Sequence, residues 1–177
     1  TNDMGDTNKL TILINEARAM DVEVLPPDIN ESRINFAPAR NGAVIRYGLA
    51  AIKGVGEAAV EAMLAARDQG QPFQSLADLC ERVDLRAVNR KVLEALIKAG
   101  ACDGFGHTRA SLCAQIERTL ARASSIAADR ARGQETLFGM LDAGKSEEDD
   151  IPAALRNVAE WPNSEKLVHE KKLLGFY

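Results

Sequence analysis

The sequence predicts a mainly α-helical fold with a small β-hairpin near the N-terminus. Three observations carry that prediction. Alanine is abundant and aromatic residues make up only 5% of the 177 positions, a balance that favours packed helices over a β-sandwich. Asn41-Gly42 lies between two short apolar runs, and an Asn-Gly pair supplies the positive φ values that a tight hairpin needs. Gly54-Val55-Gly56 precedes the alanine-rich run Ala58 to Arg67, so a tight backbone turn opens directly into a helix.

Taken in order, Leu10, Ile12, Leu13, Ile14, Ala17 and Met20 give residues 7–20 a mostly helical apolar pattern. Pro26-Pro27-Asp28-Ile29-Asn30 is expected to be extended, because neither proline can donate a hydrogen bond and each restricts the residue before it. The hairpin is expected to pair Ile34-Asn35-Phe36 with Val44-Ile45-Arg46-Tyr47. A helix from about Glu57 to Arg67 stops near Gly70, and a shorter one is expected around Ser75 to Arg82. Asn89 is placed to cap a helix with the apolar stripe Val92, Leu93, Leu96 and Ile97, closed by Gly100. The two helical pairs make the expected fold a tandem of helix-hairpin-helix units. Gly104-Phe105-Gly106 repeats the glycine spacing ahead of a long helix, about Thr108 to Arg132. Beyond Gly133 the periodicity fails, and Glu147-Glu148-Asp149-Asp150 marks an acidic linker.

The net charge of −4 conceals an uneven distribution. Residues 33–133 carry +5, whereas residues 1–32 carry −5 and residues 134–177 carry −4, as expected when one segment meets phosphates and the others meet protein or solvent. Cys80, Cys102 and Cys113 are an odd number without a Cys-x-x-Cys pair, which indicates neither a disulfide framework nor a tetrahedral zinc site and fits a reducing cytoplasm. No apolar run has the length of a membrane span.

The hairpin has a chemistry of its own. Consecutive backbone N–H groups and the positive end of the following helix can face one anion. Val55 would plug the turn onto the core, Gly54 and Gly56 would present bare backbone to a phosphate, and Lys53 would add a charge. The second unit offers Val83-Asp84-Leu85-Arg86-Ala87-Val88 in place of a glycine hairpin. Any phosphate role there falls to Arg86, Arg90 and Lys91. After the long helix, Gln134-Glu135-Thr136-Leu137-Phe138 forms a compact anchor: Leu137 and Phe138 suit a hydrophobic pocket, and the Gln134 amide suits its rim.

Val24-Leu25-Pro26-Pro27-Asp28-Ile29-Asn30, Ile45 to Glu57, Phe73 to Cys80, Asn89 to Asp103 and Leu173 to Tyr177, in that order, together resemble the alpha subunits of bacterial DNA polymerase III, the C-family of replicative polymerases. The resemblance covers nearly the whole chain except the acidic linker. It implies that residues 1–50 are the end of the fingers with the small β-element, and that residues 51–104 are a tandem helix-hairpin-helix region holding duplex DNA. It further implies a long helix over 105–133, a sliding-clamp-binding peptide at 134–138, and over 139–177 a linker leading into an OB-fold domain. By the match, Lys53 to Glu57 contact the DNA backbone, and Gln134, Leu137 and Phe138 enter a cleft of the β sliding clamp. The other holoenzyme subunits are implied as further partners. Two departures stand out. Glu57 is acidic, which suits the helix dipole but repels phosphate, and the second unit has no glycine hairpin.

Nucleotidyl transfer needs carboxylates on a rigid strand to hold magnesium. The sequence has no Asp-x-Asp on a strand-like run, so no catalytic residue and no cofactor are expected in this segment. By the resemblance, magnesium belongs to a palm upstream of residue 1, and a start without methionine inside a helix-like stretch suggests a fragment. Two other readings of the same residues are a helix-hairpin-helix nuclease or repair enzyme, and a protein-interaction scaffold whose glycine turn is only structural.

Overall fold

The computed structural model describes residues 7–131, 155 and 157–175. The clamp-peptide residues Gln134, Leu137 and Phe138 and the acidic run lie outside the described residues. Helix α1 spans Thr7–Ala19 and leads into a three-stranded sheet of β1 (Glu23–Leu25), β2 (Ala37–Ala39) and β3 (Val44–Arg46). Among the described residues, helices α2 (Glu57–Gln69), α3 (Leu76–Arg82), α4 (Arg90–Lys98), α5 (Arg109–Ala131) and α6 (Asn163–Leu174) follow.

The hairpin expected from Asn41-Gly42 is present, with both residues at positive φ, 58° and 88°, but its first strand differs from the expectation. Residues 37–39, not 34–36, pair antiparallel with β3, with Pro38 opposite Ile45. The sheet order is β1-β3-β2, so β2 is an edge strand, where a proline without an N–H is tolerated. Residues 34–36 instead pass close to the chain entering the hairpin. The amides of Leu49 and Ala50 donate to the carbonyls of Arg33 (2.9 Å) and Ile34 (3.1 Å). A Cβ on Gly48 would lie 2.5 Å from the Asn35 backbone, so only glycine fits there. β1 pairs parallel with β3, a non-local pairing that the sequence pattern did not indicate.

The Pro26-Pro27 segment is stitched to the helices by side chains acting as backbone surrogates. Asn30 exchanges two hydrogen bonds with the Phe73 backbone, at 2.9 and 2.8 Å, and Arg67 donates to the carbonyls of Ile29 (3.2 Å) and Ser32 (2.8 Å). One hydrophobic core runs from Ile14 through Tyr47, Val60, Leu79 and Leu93 to Leu174. Within it α5 packs on α3 and α4. α4 contributes Val92, Leu93, Ala95, Leu96 and Ile97, all buried, at the i, i+3, i+4 spacing of an amphipathic helix. Burying each of its larger aliphatic side chains contributes about 1.5–3 kcal/mol before entropy is counted.

Residue 155 and residues 157–175 lie against the helical body. The Leu155 carbonyl accepts from Ser111 Oγ (2.6 Å) and Gln115 Nε2 (3.3 Å), which satisfies two polar side chains buried in α5. Glu160 caps α5, taking the amides of Arg109 (3.1 Å) and Ala110 (3.3 Å). Its own burial opposes ionisation, but these backbone bonds, that from Trp161 and the nearby Lys166 outweigh it and hold the carboxyl below its usual range. Arg109 grips Asp103 with two bonds of 2.8 and 2.7 Å and reaches Glu170 on α6 at 2.7 Å.

Candidate nucleic-acid interface

The segment entering the glycine turn is not a full helix. A single 3-10 turn, Leu49–Ala51, precedes it and α2 follows it, where the expected helix-hairpin-helix unit would have a full helix on each side. The turn itself follows the expected division of labour. Val55 is 5% exposed and sits in the core, while Lys53, Gly54, Gly56 and Glu57 are exposed. Gly54 has φ +90°, a conformation that strains any residue with a Cβ.

Gly56 is different. It is the N-cap of α2, with φ −76° and ψ 154°, which any residue adopts. A Cβ built on it meets nothing within 4 Å. Neither backbone strain nor crowding within the protein therefore calls for glycine at this position. α2 has no side-chain cap, and among the described residues the amides of Gly54, Gly56, Glu57 and Ala58 have no hydrogen-bond acceptor. They are orphan donors of a helix N-terminus, exposed beside a bare backbone, which is the arrangement that holds an anion. The Lys53 amide is not among them, since it donates to the Leu173 carbonyl at 2.9 Å. Lys53 offers its ammonium alone.

The second unit is built otherwise. The Asn89 side chain accepts from the amides of Lys91 (3.0 Å) and Val92 (3.3 Å), so two donors of the first turn of α4 are spent internally. Arg90 lies between Glu94, at 3.0 Å, and Glu117, and its charge is largely neutralised. Arg86 and Lys91 are exposed, Arg86 in the turn between α3 and α4, with its amide held by Asp84 at 2.9 Å. The sequence brought these three cations to one turn, but it did not show that Arg90 is paired.

The cysteines have no such chemistry. Burial pushes Cys80 up to about 12 and Cys113 up to about 11, and raises Cys102 further. Thiols held protonated in this way are neither nucleophiles nor ready ligands. Among the described residues no cluster of His, Cys, Asp or Glu is arranged to hold a metal ion, and no helix is long and apolar enough to cross a membrane.

Residues 21–112 match the family model for the helix-hairpin-helix motif, just over half of the chain. Over its full length the chain is similar to DNA polymerase III subunit alpha. Identity is 41% to that of Vibrio cholerae, 43% to that of Neisseria meningitidis serogroup B and 39% to that of Escherichia coli K12. All of this chain is covered in each case, but it spans only 15% of the length of these curated relatives. The open glycine turn lies inside the matched region, and the chain belongs to the helix-hairpin-helix family, in the form carried by DNA polymerase III alpha subunits.

Proposed function

We propose that this chain is a non-catalytic processivity segment of a replicative DNA polymerase. In this reading the turn from Lys53 to Glu57 holds the phosphodiester backbone of duplex DNA without reading bases, with exposed Arg86 and Lys91 adding charge nearby. The observation that carries it is Gly56: a glycine that the described fold does not need, beside amides with no partner among the described residues, in a conformation that leaves room for a phosphate to touch the backbone. Contacts of this kind position a protein on DNA and carry no sequence information. Two to four engaged charges would give a salt slope of roughly −0.9 per contact and weak binding.

The second half of the reading concerns Gln134, Leu137 and Phe138. They follow α5 in sequence and offer two apolar anchors and one amide, the chemistry of a peptide that enters the hydrophobic cleft of a sliding clamp. A weak grip on DNA and a tether to a ring around the same duplex reinforce each other, because the second binding event becomes intramolecular. The magnesium ions and carboxylates of nucleotidyl transfer are assigned to a palm outside this segment. The reading is tested by titrating the chain with a fluorescent duplex and, separately, with purified β clamp.

A further inference from the structure

The turn that presents the orphan amides is fastened from an unexpected direction. The last carbonyls of a helix have no partner within it. At the end of α6, two of these and the carbonyl of Gly175, which follows the helix, are taken by donors from elsewhere in the chain. Leu173 accepts the Lys53 amide at 2.9 Å, Leu174 accepts the Tyr47 hydroxyl at 3.1 Å, and Gly175 accepts the Thr11 hydroxyl at 3.0 Å. The Tyr47 hydroxyl is shared, since it also lies 3.2 Å from the carbonyl of Ala51, the last residue of the 3-10 turn entering the hairpin. Tyr47 is wholly buried, with its ring edge-on to Phe36 at 4.6 Å.

We propose that α6 is a latch that orients the phosphate-binding turn, with Tyr47 as its positioning residue and the Lys53 amide as its point of attachment. The inference rests on the reading of that turn as a DNA grip. Lys53 is the residue immediately before Gly54, so fixing its amide sets the direction in which the Gly54, Gly56 and Glu57 amides point. A binding constellation needs its donors held to within about 0.5 Å. The 3-10 turn Leu49–Ala51 is too short to supply that rigidity, and α6 replaces the missing brace. Glu170, bonded to Arg109 at 2.7 Å, holds the middle of the same helix against α5. Loosening the end of α6 therefore weakens the grip without touching DNA, and by linkage DNA strengthens the docking of α6.

The test is Tyr47→Phe, which keeps the buried ring and removes only the hydroxyl. Amide exchange is followed by NMR at Lys53 and Val55, whose amides donate to Leu173 and Ile52, with the α4 amides as internal reference. The expected result is exchange at least ~10-fold faster at Lys53 and Val55 with α4 unchanged. The affinity for a fluorescent duplex should fall by roughly three- to ten-fold at fixed salt. Unchanged exchange at Lys53 and Val55, or a rise that only keeps step with α4, overturns the latch. If Tyr47→Phe does not fold, Thr11→Ala loosens the same helix end and reads the same quantities. Gly56→Ala separates the two ideas: if it leaves DNA affinity intact the DNA reading fails, whereas the exchange experiment decides the latch without DNA.

Discussion

Replacing Gly56 with alanine tests the phosphate grip with little confounding from the fold. At φ −76° and with no atom within 4 Å of the new Cβ, the folded state accepts the methyl group without strain. Stiffening the unfolded chain contributes about 0.4–1 kcal/mol of stability, and alanine is a poorer N-cap than glycine by about 0.5–1 kcal/mol. The two nearly cancel, so the urea midpoint should move little. The DNA side of the ledger does not cancel. A methyl group between the turn and a phosphate breaks one charge-assisted hydrogen bond, contributing about 1.5–3 kcal/mol, and the dissociation constant should rise by roughly 10- to 150-fold. No side-chain charge changes, so the salt slope should stay nearly constant. Fluorescence anisotropy with a short labelled duplex at several salt concentrations measures both quantities. Gly54→Ala is the instructive contrast, because its φ of +90° makes the substitution cost about 1–2 kcal/mol of stability as well. Wild-type affinity in a folded Gly56→Ala protein would falsify the grip and return the turn to a structural role.

Two other predictions concern residues outside this turn. Gln134→Ala, Leu137→Ala and Phe138→Ala combined should abolish saturable binding to β clamp, read by surface plasmon resonance, while leaving the melting temperature and DNA affinity unchanged; binding that persists removes the peptide from the reading. Glu160→Gln should destabilise the fold by about 1 kcal/mol at neutral pH through its weakened cap on α5. Because the folded carboxyl titrates below its unfolded value of about 4.3, the difference from wild type is fully present above that value and disappears as pH falls through the folded pKa. Urea unfolding across that range measures it.

Local signals in the sequence were reliable where the chain's own neighbours decide the structure. Asn89 caps α4 as its residue type requires, Gly100 ends the same helix in the left-handed region, and Asn41-Gly42 turns the hairpin. What stayed hidden was set at long range. The parallel pairing of β1 with β3 joins segments separated by the Pro26-Pro27 stretch, and three-residue strands are too short to show alternation. Helix α6 was missed because its buried side is narrow: only Leu174 is fully buried, and Leu167 and Val168 are exposed. The candidate site was half legible. Its glycines, Val55 and Lys53 were evident from spacing, but the capture of the Lys53 amide by Leu173 depends on a helix at the other end of the chain.

The two units hold their helix starts in opposite ways, and that difference predicts two kinds of grip on DNA. Ser75 caps α3, Asn89 caps α4, and Thr108 with Glu160 caps α5, each filling donors that an anion could have used. α2 fills none of its own with a side chain. In the second unit the cations offered to phosphates are Arg86 and Lys91, since Arg90 is held by two carboxylates. Charges and amides respond differently to salt. Each cation that neutralises a phosphate releases condensed counterions, whereas an uncharged amide does not. Arg86→Ala with Lys91→Ala should consequently reduce the salt slope by roughly 1.8 if both residues contact phosphate, with stability changed by less than about 0.5 kcal/mol. The loss of affinity should be large at low salt and fade as salt rises. Gly56→Ala should show the reverse, a loss nearly independent of salt. A double variant whose slope equals that of wild type would confine the grip to the first unit, and would leave the second as the platform on which α5 and α6 pack.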